Sequence, residues 1–424
     1  MLGTGAGAAV KRQCTMGFMK RLTYHHPRDT WRFGVVLVVA AVLAAGAWWV
    51  RREGLALPLM TPGPTASLVP TSPTPVPSPV AVAAKPWVQD LVVPWSLLFT
   101  SDSRALVTER AGRLRVIENG KLLPAPLFTL GDISNVSEEG LMGLAKDPAY
   151  GSNKLLYACY AYKSAGAYRD KVVRFEDRGT SVGPMTTVID GIPAAANHAG
   201  CRLGFGPEDG KLYITTGDAS QRAQAQDKAS LGGKILRVNP DGSIPADNPY
   251  TGSPIWTLGH RNPQGLAWQP GTGRLYASEH GPSGWDGDPG GDEINLIARG
   301  ANYGWPVVSH TRTDSKYVSP LKVYTPAIAP SGISFYNGSL IPQLKGHLLV
   351  TGLAGTGLYD LDLSADGQSV ISSTKLSELN VGRLRDVIQG PDGALYVLTS
   401  NRDGRGTVRT GDDTIYRLAP LTGQ

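Results

Sequence analysis

NHAGCRLGFGPEDGKLYITTGD, residues 197–218, carries the pattern on which the rest of the chain is built. A His in a glycine-bearing loop leads into a short apolar stretch (Arg202 to Phe205). A Gly/Pro/Asp turn (Gly206 to Gly210) and a second apolar stretch (Lys211 to Thr216) come next. Alternating apolar residues on either side of such a turn predict two antiparallel strands. The design returns at residues 94–109, 140–160, 263–279, 331–352 and 383–400, often with Leu-Tyr in the second strand. Most copies are followed by a further strand such as GRLRVIE, GKILRVN or DTIYRLA. Six copies, roughly 45–70 residues apart, signal radial repetition. Each copy gives a small sheet with two apolar faces that only neighbouring copies can cover, and closing six into a ring covers them all. The fold expected is all-β, a six-bladed β-propeller. Paired β-sandwiches would use the same strands but leave the repeat unexplained.

The chain of 424 residues has the hydrophobic content of a globular protein, 41%, while 52 Gly and 32 Pro favour turns over long helices. Its net charge of +6 is local: residues 1–52 hold eight Lys/Arg against Asp29 alone, so the remainder sums to about −1. No basic field is left on the folded part for nucleic acid. Cys14, Cys159 and Cys201 show none of the spacings of iron–sulfur, c-type haem or structural zinc sites. Cys159 and Cys201 are readable either as a disulfide or as two buried thiols.

Residues 1–32 form a basic tail, and GTGAGA at 3–8 has no preceding strand to make it a nucleotide fingerprint. Residues 33–50 carry no charge and end in Trp48-Trp49, a length and flank expected of a transmembrane signal anchor. The basic excess on its N-terminal side keeps that end cytoplasmic and exports the chain beyond the anchor. Ala45-Gly46-Ala47 offers a cleavage site that would instead release a secreted product. Residues 51–84, rich in Pro, Ser and Thr, read as a disordered, extended tether. The propeller is then expected over 85–424.

A propeller gathers the loops before its innermost strands around one channel mouth. The groups at those places are Glu138 and Glu139, His198, His260-Arg261-Asn262, Ser331, and Arg383 with Arg385. Taken singly, a loop His is an ordinary surface residue and an Arg before a strand an ordinary ion-paired one; their convergence on one rim is what makes them candidates. Between Glu279 and Pro306 lie Asp286, Asp288, Asp292 and Glu293 among glycines. That segment reads equally as oxygen ligands for a hard cation or as an acidic surface turn.

Several motifs together resemble the glucose/sorbosone dehydrogenase family, the soluble quinoproteins that use pyrroloquinoline quinone. They are VPWSLLF, TERAGRLRVIE, EEGLMGLAKDP, NHAGCRLGFGPEDGKLYITTGD, GGKILRVNPDGSIPADNP, GHRNPQGLAW, SEHGP with GGDEINLIARGANYGWP, APSGISFY and GRLRDVIQGPDGALYVLT. They run in family order across nearly all of 88–418, and the family fold is a six-bladed propeller. By resemblance, His198 matches the catalytic base that takes the anomeric hydroxyl proton of an aldose. Arg261 and Asn262 match residues against the quinone, where a cation stabilises developing negative charge. Arg383 and Arg385 match a pair that binds the cofactor's carboxylates, and Glu138 a polar group beside the cofactor. Gly281 and Pro282 match positions whose carbonyls hold a calcium ion.

Two residues depart from the family. Ala354 stands where glucose-specific members carry a cofactor-binding Lys, and Asn197 replaces an acidic neighbour of the His, leaving the orientation of His198 open. The substrate loops are short, so a broad, open site is expected. The resemblance implies an aldose dehydrogenase passing electrons to a respiratory acceptor, a cytochrome or quinone, outside the cytoplasm. A calcium-dependent lactonase and a non-catalytic glycan- or partner-binding propeller are the competing readings.

Overall fold

The computed structural model describes residue 80 and residues 82–376 and 379–421. The tail at 1–32, the anchor at 33–50 and nearly all of the linker at 51–84 lie outside them. Among the described residues no helix is long and apolar enough to cross a membrane.

Six antiparallel sheets make six blades. Their first strands are Pro94–Phe99, Leu141–Lys146, Gly200–Phe205, Pro263–Trp268, Pro330–Phe335 and Leu384–Gln389. Each of these packs against the next, and the sixth against the first, so together they ring a central channel. The six repeated hairpins supply the two inner strands of every blade, which is why the repeat is visible in the sequence. The last blade takes its outer strand from the other end of the chain. Val82–Val88 pairs with Ile415–Pro420, Val82 facing Pro420 and Lys85 facing Arg417. The strand therefore includes Val82, Ala83 and Ala84, which the sequence reading assigns to the linker. The composition of 82–84 is that of a linker, but the Val82 side chain is buried among Leu344, Leu395 and Leu418.

The core lies between blades. Leu212, Ile214 and Leu236 of the third blade interlock with Cys159, Val172 and Ile192 of the second, and Leu349 and Leu358 of the fifth with Leu384, Val387 and Val397 of the sixth. At roughly 1.5–3 kcal/mol per fully buried aliphatic side chain, these seams hold the ring shut. Cys159 and Cys201 are joined as a disulfide across the second and third blades, with Cα atoms 5.8 Å apart.

One irregularity recurs and places the site. Every first strand loses register with its neighbour just after it begins: between Pro94 and Leu97, Leu141 and Leu144, Gly200 and Leu203, Pro263 and Gly265, Pro330 and Ile333, and Leu384 and Asp386. A bulge re-aims the side chains it contains. Ser96, Arg202, Gln264, Ser331 and Arg385 all fall in these six bulges, and they bond to one another across the channel. Arg385 Nη1 donates to Gln264 Oε1 (2.6 Å) and Ser331 Oγ (3.2 Å), and Arg202 Nε donates to the Gln264 carbonyl at 2.8 Å.

Candidate active site

Above that belt, loops of four blades meet at Glu138. Its Oε2 accepts the His198 N–H (3.0 Å) and Asn262 Nδ2 (3.2 Å), and its Oε1 accepts Arg405 Nη1 (3.2 Å). Burial alone would raise this carboxyl; the His280 imidazole, the Arg405 guanidinium, His198 and the His198 N–H together hold it down at about 2. Asn262 turns its other end inward, its Oδ1 accepting the Gly200 N–H at 3.0 Å. Glu138, His198 and Asn262 are thus one hydrogen-bonded unit, built from residues 60 and 124 positions apart.

The His198 side chain is buried beneath the exposed Trp285, whose ring stacks on it at 5.5 Å and 23°. Its backbone has a φ of +62°. The tight chain path needs Gly217 beneath it, since a Cβ there would lie 1.8 Å from the His198 carbonyl. The ring is oriented by Asp218, which the sequence did not single out. Asp218 Oδ1 lies 2.6 Å from His198 Nδ1 and also accepts the Ser220 N–H (2.8 Å), while Oδ2 accepts Trp305 Nε1 (2.8 Å). A carboxylate ringed by donors fixes Nδ1 as the protonated nitrogen. Nε2, which has no hydrogen-bond partner among the described residues, is left as the basic one. The acid expected beside the His in sequence is replaced by one 20 residues on, at the end of the next strand.

The arginines divide. Arg261 is buried and already paired: Nε donates to Asp286 Oδ2 (2.7 Å), Nη1 to the His280 carbonyl (3.2 Å) and Nη2 to Ser283 Oγ (3.0 Å), over the Trp305 ring. Arg383 is paired with Asp403 (3.0 Å) and reaches the Leu353 carbonyl, beside Ala354. Arg385 has no carboxylate partner among the described residues; its Nε is sealed from water and unbonded. Burial, then the charges of Arg110 and Arg383, push its guanidinium down to about 9. Arg110, a residue the sequence gave no reason to single out, is half-buried and likewise has no carboxylate paired to it among the described residues. Its Nη1 donates to the Ser137 carbonyl and its Nε is sealed and unbonded. A third group faces the same space: His280 Nε2 is sealed without a partner, and burial followed by the neighbouring Arg261, Arg385 and His198 holds the ring down at about 3.

The other candidates are structural. His260 is fully enclosed between Thr257 Oγ1 (2.9 Å) and Glu279 (2.8 Å) and stacks on Tyr303. Glu139 turns away from the mouth into the second blade, against Ser134. The acidic segment is not simply a surface turn. Asp286 neutralises Arg261, and Asp292 accepts the N–H groups of Gly281, Ile328 and Ala329 at 2.7 Å each. Asp292 thereby fixes the Gly281–Pro282 turn. No Cβ fits at Gly281, because it would meet the Gly290 and Gly291 carbonyls at 2.2 and 2.3 Å. The Pro282 carbonyl accepts the Gly290 N–H at 3.1 Å.

Residues 91–415 match the Glucose / Sorbosone dehydrogenase family. The Escherichia coli aldose sugar dehydrogenase YliI is 33% identical over 337 residues, covering 73% of this chain and 88% of its own. The Acinetobacter calcoaceticus quinoprotein glucose dehydrogenase B is 30% identical over 426 residues, covering 77% and 87%. The quinone-bound aldose sugar dehydrogenase of Streptomyces coelicolor superposes with a TM-score of 0.70 at 34% identity, over 81% of this chain and 99% of that one.

Proposed function

The chain belongs to the glucose/sorbosone dehydrogenase family, and from that premise we propose that it oxidises the anomeric carbon of aldoses to lactones with pyrroloquinoline quinone. The observation that carries the proposal is the condition of Arg385 and Arg110. The Arg385 guanidinium is buried and that of Arg110 half-buried; with both Nε groups sealed and unbonded and no carboxylate paired to either among the described residues, they are costly unless an anion completes them. A flat tricarboxylate suits that pair in chemistry, since the forked donors of Arg match its carboxylates. Arg261 and Arg383 have spent their charge on Asp286 and Asp403 and act as rigid walls.

When bound, the quinone supplies the acceptor for the hydride that leaves the sugar's anomeric carbon. His198 Nε2 takes the proton of the anomeric hydroxyl in the same step, leaving a lactone. Asp218 holds the imidazole in the tautomer that leaves Nε2 free and stabilises it once protonated. Arg261, neutralised by Asp286, would serve to hold the wall of the site rather than to supply free charge.

The Gly281 and Pro282 carbonyls would hold calcium. They bear no net charge, and the nearby Asp286 and Asp292 are committed to Arg261 and to three N–H groups. The ion there would therefore need the cofactor's own anionic oxygens, so calcium and quinone should bind together. A lactonase-type site would want free carboxylates at the mouth, whereas Glu138 already accepts three donors. Location outside the cytoplasm on an N-terminal anchor, with electrons passing to a respiratory acceptor, is part of the same proposal. The Cys159–Cys201 disulfide favours an oxidising compartment.

The test is reconstitution of the full chain with calcium and quinone, followed by dye reduction with several aldoses. Aldose-dependent turnover that needs both additions supports the reading; turnover without the quinone, or none with it, rejects it.

A further inference from the structure

Behind the mouth, in the second blade, lies a pair of acids that the reaction does not use. Glu139 and Asp170 are 0% and 1% exposed. The backbone brings them together. The Gly140 carbonyl accepts the Ala161 N–H at 3.0 Å, and Ala161 is the cross-strand partner of Asp170, so the two acids lie on segments either side of Ala161, near enough for the charge of Glu139 to act on Asp170. Glu139 Oε2 accepts Ser134 Oγ at 2.6 Å. Glu139 Oε1 and both carboxylate oxygens of Asp170 are sealed from solvent with no hydrogen-bond partner. Among the described ion pairs neither acid has a cation. Lys163, the basic residue that acts on Glu139, is exposed and lies over the Tyr168 ring.

Two carboxylates in a dry site must take up protons or hold a cation. A shared proton joins two oxygens and leaves the third of the three orphans bare, with its desolvation uncompensated. A divalent ion would give all three a partner, together with the Ser134 hydroxyl. We propose that Glu139, Asp170 and Ser134 form a binding site for a hard divalent cation, calcium in particular. The donors are all oxygen and carry two negative charges. A sealed pocket formed by irregularly placed side chains suits the adaptable shell of calcium better than magnesium, which keeps its waters and demands an octahedron.

The ion would be a strut rather than a participant. The segment 133–140 is strapped to the second blade by the Ile133–Tyr162 bridge and by the Ser134 N–H to the Ala161 carbonyl (2.8 Å). Its far end carries Glu138, to which His198 and Asn262 are bonded. A cation on Glu139 pins that end from beneath.

This site is independent of the proposed reaction, and its test uses no quinone. The full chain, stripped with chelator, is titrated calorimetrically with calcium chloride and, separately, with magnesium chloride, and its melting temperature is followed with and without calcium. The expected result is one calcium per chain, binding at least tenfold tighter than magnesium, with a rise in melting temperature. Asp170→Asn and Glu139→Gln should each abolish both effects, and Ser134→Ala should weaken calcium several-fold while leaving both acids in place. No calcium-dependent melting in the wild type, or calcium binding that survives Asp170→Asn, would overturn the proposal. Should Asp170→Asn fail to fold, Ser134→Ala decides: unchanged calcium affinity overturns the site and weakened affinity supports it.

Discussion

Replacing Asp218 by Asn keeps the size of the side chain and removes what His198 needs. In the protein Oδ1 receives His198 Nδ1 and the Ser220 N–H, and Oδ2 receives Trp305 Nε1. An amide can serve only one side. With its oxygen toward His198, its NH2 meets the Trp305 donor. With its oxygen toward Trp305, its NH2 meets the Ser220 N–H and drives the proton of His198 from Nδ1 to Nε2, where a base must be empty. Loss of the orienting carboxylate in comparable His sites costs up to about 10⁴-fold, and general-base assistance as a whole is worth about 10²–10⁴-fold. Asp218→Asn should therefore lower kcat by about 10²–10⁴, or roughly 3–5.5 kcal/mol of barrier. The donor facing a donor should cost about 1–3 kcal/mol of stability besides. The assay is dye reduction at saturating aldose after reconstitution, beside an absorbance titration of the quinone. The cofactor should bind nearly as in the wild type, since Arg385 and Arg110 are untouched. A variant that keeps more than a tenth of the turnover, or that loses the cofactor as well, would refute the assignment of Nε2 as the base.

Four other outcomes are expected. Arg385→Met removes a buried charge without a partner, so the cofactor-free protein should melt at a higher temperature while quinone affinity falls by roughly 30-fold or more, the two read by calorimetry and titration. His280 is held at about 3 in the fold against 6.5 free, so the unfolded chain binds the extra proton between those values. Its contribution is intact above pH 6.5 and is lost as pH falls toward 3, and His280→Gln should flatten that part of the melting-temperature profile. Gly217→Ala puts a methyl 1.8 Å from the His198 carbonyl and should displace the imidazole, reducing turnover by about 10²-fold or more in the same dye assay. Reduction of the Cys159–Cys201 bridge, which spans 42 residues, should cost about 4 kcal/mol on the chain-entropy account, seen as a lower urea midpoint under reductant.

The propeller was legible because its unit is local. A hairpin repeats every blade, and its Gly/Pro/Asp turn and alternating apolar residues survive in all six copies. The closing strand was not legible, since Val82, Ala83 and Ala84 carry no periodicity and gain their place only from Ile415–Pro420 at the far end of the chain. The mouth was legible as a set of residue types preceding the inner strands, and the structure brings Glu138, His198, Asn262, Arg261, Arg383 and Arg385 to it. Their electrostatic roles were not. Whether an arginine is free or spent depends on a partner such as Asp286 or Asp403, 25 and 20 residues away and visible only in space. Asp218 stands at the end of the 197–218 stretch, but its bond to His198 crosses a hairpin, where adjacency in sequence points to Asn197 instead. Arg110 and Arg405 come from loops whose direction is set by neighbouring blades.

On the proposed function, Arg385 and Arg110 would receive an anionic quinone near the His198–Asp218 pair. An absorbance titration of the full chain with pyrroloquinoline quinone, with and without calcium, tests it most directly. One quinone per chain should bind saturably, more tightly with calcium and more weakly in Arg385→Met. No saturable binding, or binding indifferent to Arg385, would contradict it.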